Sequence, residues 1–414
     1  MSKTALINIG QLATPRGRKA RGGTEQADIL MLEGAFLLME DGHITVVGQG
    51  RPDLDRTADH EVIDAGGRLV TPGLVDAHTH LVFAGWRAHE MAQKIVGVPY
   101  LDILAQGGGI LDTVRQTRAA SQRELADKAR LSLDQMLALG TTTCEAKSGY
   151  GLSLQEELKQ LHAARDAGQG HAVEIVSTLM AAHALPPEYK HDRTAYLRLV
   201  TEEIIPAAAE QGLAEYCDVF CEQGVFDAEE SRRVLLAGQR AGLSSKIHAD
   251  EIHPIGGSEL AGQIGAISAE HLIAIGEAGI RSMAQGGVIA CLLPATSLYL
   301  GKGYAPARRL IQAGVPVAFG SDYNPGSCPS LNLQLCINLG CLYYRMTPSE
   351  VLTAVTLNAA AAIGRAERLG TLEVGKQADA VIWEAADLDF LCYRMGSNLA
   401  HSVIKKGRMV HHSQ

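Results

Sequence analysis

The sequence predicts an α/β protein in which a TIM-like (β/α)8 barrel is joined to a small β-sandwich domain formed by both chain termini. Three observations lead to this fold. A length of 414 residues accommodates a barrel of about 250 residues and a smaller unit. Short apolar strands alternate with helical segments in the middle of the chain, and both ends carry β-prone runs without long helical periodicity.

The two ends of the chain predict the small domain. Near the N-terminus, β-prone runs cover residues 5–9, 29–32, 35–39 and 44–47, and near the C-terminus they cover 380–383, 403–404 and 409–410. Asp41-Gly42 and Lys406-Gly407 predict tight turns between neighbouring strands. We therefore assign residues 1–70 and 369–414 to the sandwich, and residues 71–368 to a catalytic barrel.

The middle of the chain predicts the barrel. Eight candidate strands cover residues 75–80, 141–147, 173–183, 216–222, 244–250, 266–271, 288–293 and 315–322. Helical patterns lie between them, as at residues 121–139, 154–167, 228–241 and 272–285. This alternation favours parallel strands closed into a barrel, with a doubly wound open sheet as the main alternative. No GxGxxG follows the first strand, which argues against dinucleotide binding.

Composition and charge exclude several classes of function. Apolar residues make up 46% and charged residues 20% of the chain, which argues against disorder. A net charge of −9 leaves no positive excess for nucleic acid, and no run of 18 apolar residues predicts a membrane span. The eight cysteines are scattered without a CxxC pair, as expected for reduced thiols in a cytoplasmic protein.

Reactive side chains are concentrated at the C-terminal ends of the predicted strands. They are His78 and His80 in the first strand, His183 in the third, His248 in the fifth, His271 in the sixth and Asp322 in the eighth. His78 and His80 are two residues apart, so both imidazoles lie on the same side of a strand. Imidazoles and a carboxylate suit a zinc or ferrous ion, and barrel active sites lie at this end. The pattern therefore predicts a metal site at the barrel mouth.

Longer strings around these residues are more specific. They are PGLVDAHTH at 72–80, HLVFAGWR at 80–87, GGGI at 107–110, KSGYGL at 147–152, HALP at 183–186, HADE at 248–251 and DYNPGS at 322–327. With His271 they resemble the amidohydrolase superfamily over essentially the whole chain. Within it, they resemble the enzymes of histidine degradation that open an imidazolone ring. Glu270 departs from the superfamily pattern, which has Asp before this histidine.

The resemblance implies metal-dependent hydrolysis of a cyclic amide, converting 4-imidazolone-5-propanoate into N-formimidoyl-L-glutamate. It implies one Zn²⁺ or Fe²⁺/Fe³⁺ ion per subunit, because the fourth strand ends in Phe220-Cys221-Glu222-Gln223 and lacks the lysine of dinuclear relatives. The implied ligands are His78, His80, His248 and Asp322. The implied catalytic residues are Glu251, His271, His183 and Asp322, with Asp322 also a proton acceptor.

The resemblance also implies which side chains bind the substrate. These are Arg87, Tyr150, His183, Glu251, Asn324, Gly326 and Ser327. Arg87 would hold the propanoate through two hydrogen bonds, and the turn at 324–327 would receive the newly formed carboxylate. A homodimer is a further family-level expectation, with neither nucleic acid nor membrane as partner.

Two other functions stay open from the sequence. The same metal site would serve a deaminase acting on a heterocyclic ring, and only Arg87 and the 324–327 turn discriminate against it. A non-catalytic barrel scaffold is the alternative outside enzymes, although every expected metal ligand is present. Finally, the glycines at 107–109 predict an active-site lid, since no Lys-Ser/Thr follows them as in a phosphate-binding loop.

Overall fold

The computed structural model of the chain describes residues 2–53, 60–98 and 108–413. The first five strands are β1 (Lys3–Pro15), β2 (Ile29–Glu40), β3 (His43–Gln49), β4 (Glu61–Asp64) and β5 (Leu69–Pro72). β1 and β2 pair antiparallel along almost their whole length. Asp41 and Gly42 join β2 to β3 with φ of 47° and 81°, as a two-residue hairpin turn requires. The turn predicted here is confirmed.

Eight parallel strands then form the predicted barrel. They are β6 (Leu74–Asp76), β7 (Thr141–Lys147), β8 (Glu174–Ala182), β9 (Tyr216–Cys221), β10 (Ser244–Ala249), β11 (Ser268–His271), β12 (Ile289–Leu292) and β13 (Val317–Phe319). Each strand pairs with the next one in chain order. A parallel bridge between Thr79 and Tyr323 joins the segments that follow β6 and β13. The barrel is therefore confirmed, and the open-sheet alternative is not.

The first and last strands of the barrel, β6 and β13, end earlier than the sequence predicted. β6 ends at Asp76, so His78 and His80 lie beyond it, and β13 ends three residues before Asp322. The backbone turns at Asp322, where φ is 56°, a value that cannot continue a strand. Leu272 also has a positive φ, which a helix cannot contain. The helix expected from residue 272 therefore begins only at Glu277. His78, His80 and Asp322 therefore lie on short irregular segments past their strands, whereas His248 and His271 lie at the ends of β10 and β11.

The C-terminal strands complete the small domain. They are β14 (Ala380–Trp383), β15 (Ala400–Lys405) and β16 (Arg408–His412). β14 pairs with β5, so the two chain ends share one sheet of order β16-β15-β14-β5-β1-β2-β3, with β4 added on β1. The buried side chains of this domain form a separate apolar cluster that includes Leu6, Leu37 and Ile404. A small β domain built from both termini is therefore confirmed.

Helices pack between and beyond the barrel strands. The α-helices are Met91–Ile95, Ile110–Ala119, Gln122–Ala138, Leu154–Gly168, Arg193–Arg198, Ile205–Glu210, Ala228–Arg240, Gly257–Ile264, Glu277–Gly286, Pro294–Leu300, Ala307–Gln312, Leu333–Leu342, Pro348–Val355, Leu357–Ala362 and Leu388–Tyr393. Short 3-10 turns cover Gly23–Ala27, Ala88–Glu90 and Pro187–Tyr189, and a π-helical segment covers Leu199–Ile204. The local sequence determines where several helices begin. Ser121 and Glu124, for example, form a capping box at the start of the helix Gln122–Ala138.

Two further predictions concern the whole chain. Across residues 2–53, 60–98 and 108–413, every helix is too short or too polar to cross a bilayer. All eight cysteines are free thiols, and seven of them are buried.

In the glycine run, Gly107 lies outside the described residues, while Gly109 directly precedes the helix Ile110–Ala119. The lid stays a prediction.

Candidate active site

The closure of the barrel brings the first and last strand ends together. The Asp322 amide donates to the His78 carbonyl at 2.9 Å, and the His80 amide donates to the Tyr323 carbonyl at 2.9 Å. The carboxylate Oδ1 of Asp322 consequently lies 3.5 Å from His78 Nε2 and 3.7 Å from His80 Nε2. The second oxygen, Oδ2, accepts a 2.6 Å hydrogen bond from Thr296. Residues separated by more than 240 positions thus meet in one cluster.

Two other imidazoles complete this cluster. The His248 ring centroid lies 4.6 Å from that of His78 and 5.5 Å from that of His80. The His271 ring lies 5.1 Å from that of His248. Two overlapping groups could hold an ion, one made of His78, His80 and Asp322, the other of His78, His248 and His271. All five side chains are buried.

The cluster fits a metal ion. Among the described residues, His78 Nε2 and both ring nitrogens of His248 are buried without any hydrogen-bond partner, which is costly unless another group binds them. Burial lowers the pKa of His78 and of His80 well below the usual histidine range, so both rings are neutral at physiological pH. Neutral imidazoles and one carboxylate are the donors that zinc or ferrous iron prefers.

Glu251 lies beside the cluster in the segment after β10. Its Oε2 is 3.8 Å from His271 Nε2, and 17% of its side chain is exposed. The pKa of Glu251 is raised to about 7, mainly by burial, with the nearby His248 lowering it and the Glu222 carboxylate raising it. Burial likewise lowers the pKa of His271 to about 4. A carboxyl that exchanges protons near neutral pH therefore contacts a neutral imidazole.

Arg87 and Gly326 are packed directly against each other. The Arg87 amide donates to the Pro325 carbonyl at 3.3 Å. A Cβ at position 326 would lie 1.1 Å from Arg87 Nη2, so only glycine leaves room for the guanidinium. Among the described residues, Arg87 Nε and Nη1 are buried without a hydrogen-bond partner, although the Glu90 carboxylate lies 4.0 Å from Nε. The guanidinium therefore keeps buried donors available for an anion.

The turn after Asp322 is organised by one side chain. Asn324 Oδ1 accepts the amides of Gly326 and Ser327 at 2.9 and 2.7 Å. Asn324 Nδ2 donates to the Asp322 carbonyl at 2.7 Å and to Ser327 Oγ at 2.9 Å. The two backbone amides expected to receive the new carboxylate are thus engaged with Asn324. Their role in substrate binding stays a prediction, and the visible role of Asn324 is to fix this turn beside Asp322.

His183 and Tyr150 form the opposite side of the mouth. The His183 ring stacks on His80 at 4.9 Å, and the Tyr150 ring lies 5.4 Å from His183. His183 Nδ1 is 3.1 Å from the Gly149 carbonyl, and burial lowers the pKa of His183 to about 3. The buried Glu157 carboxylate holds this loop by accepting amides at positions 149, 151 and 152. These contacts place His183 and Tyr150 beside His80 in the imidazole cluster.

Sequence reasoning missed a set of buried charges beneath the imidazoles. They are Glu145, Lys147, Asp218, Lys246 and Glu270, whose side chains are all fully buried. Each lies within a barrel strand among apolar residues. Charged residues in the middle of buried strands were the available signal, because such groups are almost never fully buried unless they are paired.

Sequence comparisons identify relatives of the whole chain. The sequence model of the amidohydrolase family matches residues 69–410. The chain is 49% identical to an imidazolonepropionase from Alkaliphilus metalliredigens, over 99% of this chain and 98% of that protein. It is 50% identical to an imidazolonepropionase from Geobacillus kaustophilus, over 97% of this chain and 96% of that protein. These matches cover the barrel and both terminal segments.

Solved structures with the same fold are more distant in sequence. An E. coli guanine deaminase matches with a TM-score of 0.75 at 17% identity, over 99% of this chain and 100% of that chain. An adenosine deaminase from Xanthomonas campestris with bound zinc matches with a TM-score of 0.72 at 19% identity, over 99% and 92% of the two chains. At such identities the likeness demonstrates the shared fold alone.

Proposed function

The chain belongs to the imidazolonepropionase family within the amidohydrolases, and on that premise we propose how its side chains hydrolyse 4-imidazolone-5-propanoate to N-formimidoyl-L-glutamate. The reaction forms a bond between a water oxygen and the ring carbonyl carbon. It then breaks the ring amide C–N bond, leaving a carboxylate and an N–H group. The protein has to activate water, protonate the leaving nitrogen and hold the propanoate.

We assign the metal ligands to His78, His80, His248 and Asp322, with one zinc or iron ion per subunit. The support is the set of buried imidazole nitrogens without hydrogen-bond partners around one carboxylate. When bound, such an ion lowers the pKa of a water molecule toward about 7 and polarises a carbonyl oxygen. His271 belongs to the same cluster, but its Nε2 faces Glu251, which favours a role toward the substrate.

Proton transfer is proposed to run through Asp322 and Glu251. Asp322 Oδ1 faces the imidazoles while Oδ2 is held by Thr296, so one oxygen stays oriented to accept the proton of the attacking water. Glu251 carries the proton to the ring nitrogen, since a group with a pKa of about 7 exists in both forms near neutral pH. His271 is neutral and donates a hydrogen bond to the developing oxyanion.

The observation that carries the substrate assignment is the Arg87 guanidinium seated on Gly326. Its buried Nε and Nη1 donors fit a carboxylate, and a planar fork binds such a group through two hydrogen bonds. Arg87 is also close enough to His183 for its charge to help lower the pKa of that imidazole. The propanoate therefore has a cation within reach of the reacting groups.

The remaining assignments complete this binding site. We propose that Tyr150 and His183 contact the imidazolone ring from the side opposite Glu251, supported by their packing against His80. Ser327 and the amide of Gly326 receive the new carboxylate if Asn324 gives up part of its hydrogen bonding. Residues 71–368 are the proposed catalytic unit, the free thiols favour the cytoplasm, and a homodimer is the proposed assembly.

Turnover of the substrate tests this proposal. The purified chain, loaded with Zn²⁺ or Fe²⁺, should consume 4-imidazolone-5-propanoate, followed as the loss of the ring chromophore, and should release N-formimidoyl-L-glutamate. The matched control is Arg87→Ala, which should keep its metal content and raise KM. Ammonia release from a nucleobase without loss of imidazolonepropanoate would instead identify a deaminase. A fully metal-loaded chain that turns over neither substrate would favour a scaffold.

A further inference from the structure

A continuous chain of buried charges connects two of the proposed ligand imidazoles through the barrel interior. From His78 to His248, the side chains in order are Glu270, Lys246, Glu145, Lys147 and Asp218. These five side chains come from four different strands, β7, β9, β10 and β11. Each has no solvent exposure, so bulk solvent does not screen the contacts between them.

The half of the chain next to His78 is made by Glu270 and Lys246. Glu270 Oε2 is 2.7 Å from His78 Nδ1, and its Oε1 accepts a hydrogen bond from Ser268 at 2.5 Å. Lys246 Nζ lies 3.4 Å from Glu270 Oε1 and 3.1 Å from Glu145 Oε1. Glu270 therefore binds one ligand imidazole and one cation at the same time.

The half next to His248 repeats this arrangement. Lys147 Nζ lies 2.9 Å from Glu145 Oε2 and 2.7 Å from Asp218 Oδ2. Asp218 Oδ2 lies 3.0 Å from His248 Nδ1. Asp218 Oδ1 accepts the amides of His248 and Val219, at 3.2 and 2.7 Å. Glu145 is thus the central link: Lys147 donates a hydrogen bond to its Oε1 at 3.0 Å, and Lys246 lies 3.1 Å from the same oxygen.

The contacts at the two ends have a common chemical consequence. A carboxylate only accepts hydrogen bonds, so an imidazole Nδ1 that faces it has to carry the proton. The lone pair of a neutral ring then lies on Nε2, which has no hydrogen-bond partner among the described residues in either ring; His248 Nδ1 also lacks a hydrogen bond and faces Asp218 as an ion-pair contact at 3.0 Å. Outer carboxylates of this kind fix the orientation and tautomer of metal-binding histidines.

The cost of burying five charges gives a reason to look for a role beyond stability. Replacing a buried ion-pair network by apolar side chains is often neutral or stabilising, so the network is weak evidence for fold stability. Two lysines and three carboxylates also leave one net negative charge beneath the cluster, which favours a cation there. Both arguments point toward the metal site.

We propose that Glu270 and Asp218 are positioning residues that hold His78 and His248 in the tautomer with a free Nε2. Lys246, Glu145 and Lys147 couple the two carboxylates, so that both imidazoles are oriented as one unit. The inference rests on the proposed function only in taking His78 and His248 as metal ligands.

The tautomers can be read directly without substrate. The full-length protein is labelled with ¹⁵N-histidine, and long-range ¹H–¹⁵N spectra report which ring nitrogen carries the proton. The variants His78→Gln and His248→Gln assign the two signals. We expect His78 and His248 to be protonated on Nδ1. This holds without metal and after addition of Zn²⁺. A proton on Nε2 of either ring in the metal-free wild type would overturn the proposal; the tautomers themselves are read in the wild-type protein, and the two glutamine variants serve only to assign its signals.

Variants then test the coupling. Asp218→Asn should lose the fixed tautomer of His248 and weaken Zn²⁺ binding, measured by competition with a chelator, by about 10- to 100-fold. In the chain of charges, Lys246 is separated from both imidazole rings by carboxylates. Lys246→Met should nevertheless weaken Zn²⁺ binding by roughly 10-fold. The matched control is Lys405→Met, which removes a buried lysine paired with Asp379 in the terminal domain and should leave Zn²⁺ binding unchanged.

Two outcomes of the variant series would refute the coupling. One is unchanged Zn²⁺ affinity in both Asp218→Asn and Lys246→Met. The other is an equal loss in Lys405→Met, which would indicate general destabilisation. If Lys246→Met does not fold, Glu270→Gln keeps the side-chain shape and should release the tautomer of His78. Failed substrate turnover with the expected tautomers would count against the proposed function and not against the positioning network.

Discussion

Alanine at position 326 should displace the Arg87 guanidinium and weaken binding of the substrate propanoate. The new Cβ would lie 1.1 Å from Nη2 and 1.8 Å from Cζ of Arg87, so the guanidinium has to move by roughly 2 Å. Backbone strain is not the cause, because Gly326 does not have a positive φ. The substitution therefore perturbs one cation while leaving the metal ligands untouched.

The size of the effect follows from the hydrogen bonds that are lost. A hydrogen bond to a charged group contributes about 1.5–3 kcal/mol, so losing one of the two to the propanoate lowers kcat/KM by roughly 10- to 150-fold. The loss should appear mainly in KM, because the carboxylate is bound equally in the ground state and the transition state. Arg87→Ala should give the same direction of change.

Steady-state kinetics on the metal-loaded enzyme will measure this effect. The matched control is Gly276→Ala, since a Cβ at that position meets nothing within 4 Å, and its kinetics should equal those of the wild type. In the double variant with Arg87→Ala, alanine at 326 should have little further effect. A wild-type KM for Gly326→Ala, in a protein with a normal thermal melt, would remove Arg87 from the propanoate site.

The remaining predictions concern pH, metal and the turn. Glu251→Gln should abolish the fall of kcat/KM below about pH 7, because Glu251 has to be ionised to relay the proton from Asp322 to the ring nitrogen and its carboxyl is protonated there; a retained limb would exclude Glu251 as this proton relay. The same substitution should stabilise the metal-free protein by up to about 3 kcal/mol at pH 8 but not at pH 4. The reason is that burial raises the folded-state pKa of Glu251 from 4.5 to about 7, so the penalty for ionisation develops between those values; thermal melts at both pH values decide. His248→Ala should lose zinc on dialysis, and full zinc content measured by elemental analysis would contradict its assignment as a ligand. Asn324→Ala should lower the free energy of unfolding by about 2–4 kcal/mol and reduce kcat, because several hydrogen bonds that hold the turn beside Asp322 are removed; an unchanged melt and kcat would show that the turn needs no such support.

The site could be predicted largely because a parallel barrel brings its strand ends to one edge. Five histidines and Asp322 lie at or just past the ends of strands that are far apart in the chain, and closure of the barrel makes them neighbours. The exact positions of these side chains relative to the strand ends were harder to predict from the sequence. His78, His80 and Asp322 lie on irregular segments past their strands, because the bridge between Thr79 and Tyr323 closes the barrel there.

The chain of buried charges could not be predicted from the sequence, for a different reason. Glu145 and Lys147 are two residues apart on β7, and the sequence alone gives no sign that both point into the barrel toward Asp218 and Lys246. A charged residue in a strand is more often exposed than buried. Only the pairing of four strands reveals that every one of these charges has a partner.

The amino-acid sequence by itself determined the barrel, the terminal β domain and the kinds of side chain at the barrel mouth, since strand and helix periodicity and residue type are local properties. The tertiary structure decided which carboxylates face the imidazole rings and why residue 326 has to be glycine. These features depend on contacts such as Glu270 with His78 and Arg87 with Gly326. Such contacts join residues about 190 to 240 positions apart, and only the closed barrel brings them within bonding distance.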